Sequence, residues 1–302
     1  MPDNRRGLTL GALAYVLWGM FPLYWTHLQP AGAVELLAHR VIWSVAVMAV
    51  IVALWRRWPA LLAVVRDRRT LLLLTLAAVV ISVNWGSYIW GVNNGRVVET
   101  SLGYFINPLV TVLMGVFILG ERLRHLQWIA MGVAFAAVVV LTLDYGRVPW
   151  IALVLAFSFG TYGLAKKQAN VGPVESLTVE TLVLAPVAAA YVAWLAASGQ
   201  SNFGSHGLGH AALMTMSGLV TAVPLLLFGA AAIRVSMVSL GLLQYLAPTI
   251  QFVLGVFYFH EDMPLGRWVG FALVWLALVV FTVEALHHRR RQLRLVAEAS
   301  AC

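Results

Sequence analysis

Long apolar runs, broken by short polar clusters, dominate this chain. A helix needs about 20 mostly apolar residues to cross the hydrocarbon core of a bilayer. By that measure the sequence predicts ten spans, at 8–27, 34–55, 71–92, 97–119, 126–143, 150–165, 177–197, 208–232, 236–259 and 265–286. The runs are continuously apolar and do not alternate, so a transmembrane β-barrel is excluded. The connections are short, and none is long enough for a separate soluble domain. The predicted fold class is therefore an all-α membrane protein.

Composition points the same way. Of 302 residues, 61% are hydrophobic and 11% charged, and the mean hydropathy is +0.86. A soluble domain carries about 25% charged residues. The net charge of +8 would suggest a nucleic-acid partner in a soluble protein. Here the basic residues cluster between apolar runs, which predicts membrane orientation and no nucleic acid. Sixteen Lys and Arg fall on the side of the N-terminus, among them Arg5, Arg57, Arg66, Arg122, Lys166 and Arg289. Only Arg96, Arg147 and Arg267 fall opposite, and Arg40 lies inside a span. That bias predicts a bacterial-type inner-membrane protein with both termini cytoplasmic. Trp55, Trp58, Trp128, Trp150 and Trp268 sit at predicted interfaces, whereas Trp18, Trp85 and Tyr88 do not.

The chain also repeats itself. In one register, offset by about 140 residues, Pro108 matches Pro248, Gly115 matches Gly255, Phe117 matches Phe257, Glu121 matches Glu261 and Trp128 matches Trp268. Each repeat holds five predicted spans, and an odd number forces the halves into opposite orientations. The expected architecture is ten transmembrane helices in two inverted five-helix repeats around a central cavity. Residues 1–145 form one half, 146–288 the other, and 289–302 a basic cytoplasmic tail. Inverted repeats are characteristic of secondary transporters.

Particular stretches carry a resemblance. AYVLWGMFPLYW in the first span, ELLAHR in the second, VNWGSYIWGVNNGRVVETSLGYFINPLV across the third and fourth, and SLGLLQYLAPTIQFVLGVFYFHE in the second half resemble the RarD branch of the EamA family, in the drug/metabolite transporter superfamily. The resemblance covers roughly residues 7–284. It implies the ten-helix inverted-repeat fold, a central cavity, cytoplasmic termini, and transport of compounds such as chloramphenicol-like drugs or metabolites.

A charge inside a span is costly and marks a functional candidate. Arg40 and Glu180 occupy equivalent positions in the two halves, as do Glu35 and Glu175 at helix starts. Arg40 and Glu180 are read as a charge pair, or as contacts to different parts of a substrate; the competing reading is that both snorkel to opposite interfaces. His39 joins them as a candidate for coupling. Trp18, Asn84, Trp85, Tyr88, Tyr104, Asn107, Gln244 and Tyr245 combine aromatic faces with a few polar groups, the lining expected of a cavity for a small organic molecule. The competing reading is that the amides only join helices. Pro108 and Pro248, with Gly115 and Gly255, are candidate hinges, although close packing alone would explain the glycines.

The sole cysteine, Cys302, allows no disulfide within the chain and no cysteine-based metal site. Clustered metal ligands, the GxxxxGK[ST] run, HExxH and GxSxG do not occur, so neither cofactor nor metal nor enzymatic activity is expected. The predicted function is a secondary transporter exporting drugs or amino-acid-like metabolites by alternating access. Proton coupling through Glu180 and passive exchange both remain open. The alternatives are a passive facilitator or channel, a membrane enzyme and a structural membrane protein. The expected partners are a small-molecule substrate and the lipid bilayer, with the oligomeric state open and a monomer one of the options.

Overall fold

The computed structural model describes residues 2–119, 125–232, 234 and 243–301, with the side chains of some positions in these ranges, including 288–301, outside the described set. All the described elements are helical. They are α1 (Pro2–Gly19), α2 (Phe21–Thr26), α3 (Ala33–Leu54), α4 (Trp58–Arg66), α5 (Arg68–Asn93), α6 (Val97–Leu119), α7 (His125–Tyr145), α8 (Trp150–Ala169), α9 (Pro173–Ala197), α10 (Gly207–Ala232), α11 (Leu246–Val253) with a π-helical turn at Leu254–Tyr258, and α12 (Leu265–Ala301). Among the described residues, seven helices are long and apolar enough to cross a membrane, and two shorter apolar helices accompany them. The fourth predicted span is occupied by α6.

Three local features depart from the hydrophobic pattern. The first span is broken: α1 ends at Gly19, and α2 begins at Phe21 with Pro22 in its first turn. Proline has no N–H to continue the preceding helix, and it fits the start of the next. The turn thus turns Phe21 and Trp25 inward, and both are buried. Second, residues 58–66 form α4, which buries Leu61 and exposes Trp58, Leu62 and Val65. Asp67 then caps α5, accepting from the Thr70 N–H at 3.2 Å. This exposed turn keeps the Asp67 carboxyl below the ordinary carboxylate range, through its bonds to Thr70. Third, the ninth predicted span begins, as far as it is described, at α11. Pro248 lies in the first turn of α11, where a missing N–H is harmless, whereas Pro108 lies inside the continuous α6.

Lipid tails are as apolar as leucine, so helices associate in a membrane through close packing and polar bonds rather than through burial alone. Two glycines do this work where a side chain would not fit. A Cβ on Gly103 of α6 would stand 2.8 Å from the Ala152 carbonyl oxygen of α8, and one on Gly218 of α10 would stand 2.5 Å from the Trp43 carbonyl oxygen of α3. The main packed pairs are α7 with α12, α8 with both α5 and α6, α3 with both α9 and α10, and α1 with both α10 and α11.

Polar contacts gather at one end of the bundle, called upper. There Glu35 accepts from the Asn202 N–H and Nδ2, both at 2.7 Å, and Arg147 pairs with Glu99 at 2.6 Å. Arg267 pairs with Asp144 at 3.1 Å. His210 meets the Leu28 carbonyl at 2.9 Å. At the opposite, lower end Arg57 lies 3.5 Å from Glu175.

Candidate functional site

The site is built on α3. Leu36, Arg40, Ser44, Met48 and Val52 recur every fourth residue and are all buried, so they form one inward stripe. Arg40 is only 3% exposed. By the 1.5 Å rise per residue it lies about 10 Å below the upper end of its helix. On α5 the stripe of Leu74, Ala77, Ile81, Asn84, Tyr88 and Val92 is likewise buried.

These two faces, together with α2, enclose the guanidinium in aromatic rings. Its central carbon stands 3.9 Å from the ring centroid of Trp85, 5.3 Å from Trp25 and 5.8 Å from Phe21. The phenols of Tyr24, Tyr88 and Tyr104 are close enough to interact with it electrostatically. Rings within about 6 Å attract a cation, the more so when water is excluded. On the fourth side stands α10. The close approach at Gly218 places Thr221, one turn on, within reach: Arg40 Nε donates to Thr221 Oγ1 at 2.7 Å, and that hydroxyl donates in turn to the Ser217 carbonyl at 2.9 Å. Among the described residues no carboxylate is within ion-pairing distance of Arg40. Two more buried donors in the same apolar cluster, Tyr88 OH and Trp25 Nε1, have no hydrogen-bond partner among the described residues.

Trp18 packs at the edge of this cluster, against Tyr15 and Phe228 at 5.2 and 5.8 Å. Its carbonyl accepts from Gln251 at 3.1 Å. Tyr104 stacks near Tyr88 at 5.7 Å and donates to Asn84 Oδ1 at 3.2 Å. Asn84 itself donates to the Leu155 carbonyl and to Ser158 Oγ, both at 3.0 Å. Its amide therefore ties α5 to α6 and α8 and offers nothing to a ligand. Trp85, Tyr88 and Tyr104 thus come together around Arg40, and Trp18 stands at the edge of the same apolar cluster. Asn107, also buried, lies a turn further along α6. Tyr245 lies elsewhere, bonding Thr282 and packing on the α6–α7–α12 core. Gln244 is half-buried in the turn before α11.

Arg40 and Glu180 are not partners of each other. Glu180, 2% exposed, pairs with Lys166 at 2.8 Å and accepts from Ser176 Oγ at 2.7 Å and Tyr162 OH at 3.2 Å. Lys166 reaches it from α8, while Arg40 turns toward α5 and α10. His39, one residue from Arg40 and so about 100° around the helix, faces the α9–α10 loop, stacked on Phe203 at 4.8 Å. Neither of its ring nitrogens has a partner among the described residues.

Of the proposed hinges, Gly255 sits in the π-helical turn, where a Cβ would come 2.7 Å from Val98 of α6. This is a packing contact at an irregular turn, and such turns are frequent at functional places. The surroundings of Gly115, and Glu121, lie outside the described residues. Sequence reasoning missed Glu261 as more than a repeat marker. A left-handed residue, His260 (φ 53°), turns the chain back so that Glu261 accepts from the Val97 N–H and, at 2.9 Å, the Val98 N–H. Both are free donors at the start of α6. Burial raises the Glu261 carboxyl from 4.5 to about 7, against the lowering effect of those two N–H groups.

The sequence profile of the EamA-like transporter family matches residues 5–143. Protein RarD of Streptomyces exfoliatus is 58% identical over 99% of this chain and 95% of its own. An uncharacterized transporter of Bacillus subtilis, YojE, is 39% identical over 95% and 97%. A solved crystal structure superposes on 92% of this chain and 98% of its own, with a TM-score of 0.60 at 19% identity; that likeness concerns the fold alone.

Proposed function

The chain belongs to the EamA-like transporter family, in its RarD branch, and on that premise we propose that it is a secondary carrier of small organic molecules working by alternating access. The family is one of membrane transporters, not of enzymes. The two halves, 1–145 and 146–288, are inverted copies, and the upper end faces away from the cytoplasm.

One observation carries this reading: the main packed helix pairs map onto one another when the halves are exchanged. Equivalence by the repeat sends α1 to α8, α3 to α9, α5 to α10, α6 to α11 and α7 to α12. Under it the α5–α8 contact becomes α10–α1, α6–α8 becomes α11–α1, and α3–α10 becomes α9–α5. The pairs α3–α9, α7–α12 and α6–α11 map onto themselves. All of these contacts exist. The polar contacts follow suit. Glu35 binds the loop after α9, and its equivalent Glu175 approaches Arg57 in the turn after α3. A symmetric pair of packings lets one half adopt the other's conformation at nearly equal energy, which is the requirement for alternating access. Basic residues around α4 and Lys166 support a cytoplasmic lower end.

The test is trans-stimulated exchange in proteoliposomes, using compounds whose cellular levels fall on overexpression. A carrier gives saturable flux accelerated by substrate on the far side. Flux that is linear in concentration and indifferent to the far side identifies a channel, and the absence of any protein-dependent flux removes the transport reading.

A further inference from the structure

We propose that the transported molecule is a monoanionic carboxylate with a planar apolar body, and that Arg40 holds its carboxylate in the aromatic chamber. This deepens the carrier reading and rests on it.

The cations rank in an order that elementary electrostatics would not produce. Among the described basic residues, Arg57, Arg147, Lys166 and Arg267 form ion pairs, with side chains 52%, 34%, 25% and 23% exposed. Each has water available, and each still has a carboxylate. Arg40, at 3% exposure, has the least water and no carboxylate among the described residues. An unneutralised cation in the hydrocarbon layer is the costliest of the set. Thr221 satisfies Nε alone. The Nη edge keeps four N–H donors in the planar fork that matches a carboxylate. Ring faces attract the charge but accept no strong hydrogen bond.

The surroundings narrow the ligand. Trp85, Trp25 and Phe21 bound the guanidinium, and flat rings suit a flat apolar body. The Tyr88 hydroxyl and the Trp25 indole N–H are buried donors without acceptors among the described residues; an anion supplies acceptors, whereas a cationic ligand would add more donors. The charge count selects a monoanion. Of the cations, only Arg40 is placed against these rings among the described residues, and the buried carboxylate Glu180 is already paired with Lys166, so the chamber offers one positive charge. A monocarboxylate neutralises it, and the loaded site then carries no net charge as the halves rearrange. A phosphate dianion would leave a charge uncompensated in the bilayer.

The purified full-length protein in lipid nanodiscs is melted with indole-3-acetate, phenylacetate and benzoate, and with the three matching neutral amides. The expected result is that an acid raises the melting temperature and its amide does not. Arg40→Gln should fold and abolish the effect, weakening the acid on the order of 10–100-fold, as loss of a charge-assisted bond does; Arg40→Lys should retain part of it. If Arg40→Gln does not fold, Tyr88→Phe serves instead, weakening the acid several-fold with an unchanged melting temperature in its absence. Equal stabilisation by acids and amides, no stabilisation by any of the acids, or full binding by Arg40→Gln each overturns the proposal. Saturable exchange of amides or amines but not acids would leave the carrier reading standing and remove this one. Acid binding without any exchange would keep Arg40 as a carboxylate site but remove the carrier reading, and with it the claim that the acid is transported.

Discussion

Arg40 and Glu180 stand 140 positions apart in a chain that repeats with that offset, and both are buried charges on the inner faces of long helices. Their surroundings have diverged. Glu180 is enclosed by Lys166, Ser176 and Tyr162, a network that satisfies it. Arg40 has one hydroxyl and a set of rings. The repeat thus has one position used as a bolt, and its counterpart has no carboxylate partner among the described residues. Burial of a charge does not by itself distinguish structure from site; the inventory of its partners does.

Mutations can break or sharpen this contrast. The largest effect is expected from Lys166→Met, which strands the Glu180 carboxylate in the bundle and should cost about 3 kcal/mol; Lys166→Met with Glu180→Gln should recover most of that loss. Melting in detergent measures both, and an additive double mutant would mean that the pair is no bolt. Gly103→Val pushes α6 off the backbone of α8 and should cost about 2 kcal/mol by overpacking, read in the same assay. Thr221→Val leaves Arg40 Nε without its acceptor and should cost about 1 kcal/mol. Arg40→Met should cost less still, because it removes an uncompensated charge together with its desolvation, while exchange activity is lost. An Arg40→Met protein as unstable as Lys166→Met would make Arg40 a second bolt.

A further effect concerns pH. The Glu261 carboxyl is raised from 4.5 to about 7, so between those values the folded protein binds a proton that the unfolded chain does not. Stability from this group is full below about pH 4.5 and is lost as pH rises through 7. Glu99, joined to Arg147, works in the same direction by repulsion, and Arg267 opposes it. Glu261→Gln should therefore flatten the fall in melting temperature between pH 5 and 8. An unchanged slope would assign the fall to other groups.

Much of the fold was legible because a bilayer imposes its thickness on the sequence: the predicted spans and observed helices mostly coincide to within a few residues. The break after Gly19 was not, since Pro22 sits in a run whose hydropathy never drops. Nor was α4, whose nine residues are too few to span. Arg40 was visible as a charge in an apolar run, and the aromatic residues around it as rings away from the interfaces. Their meeting was not visible, because which face of α3, α5 and α10 turns inward depends on contacts such as Gly218 against Trp43. The partners of Glu180 lie on a different helix and in a preceding turn, and no spacing rule joins Lys166 to it. Pairing Arg40 with Glu180 by symmetry was the natural reading, and the geometry assigns each its own neighbours.

The central claim is that two inverted halves exchange conformations, and pairs of spin labels at the two ends test it most directly. In a Cys302→Ala background, one pair is placed at Asn94 and Leu265 and the equivalent pair at Arg234 and His125, and each distance is measured in nanodiscs with and without a transported compound. The account predicts opposite changes, one distance lengthening as the other shortens. Two distances that stay fixed, or that move together, would contradict it.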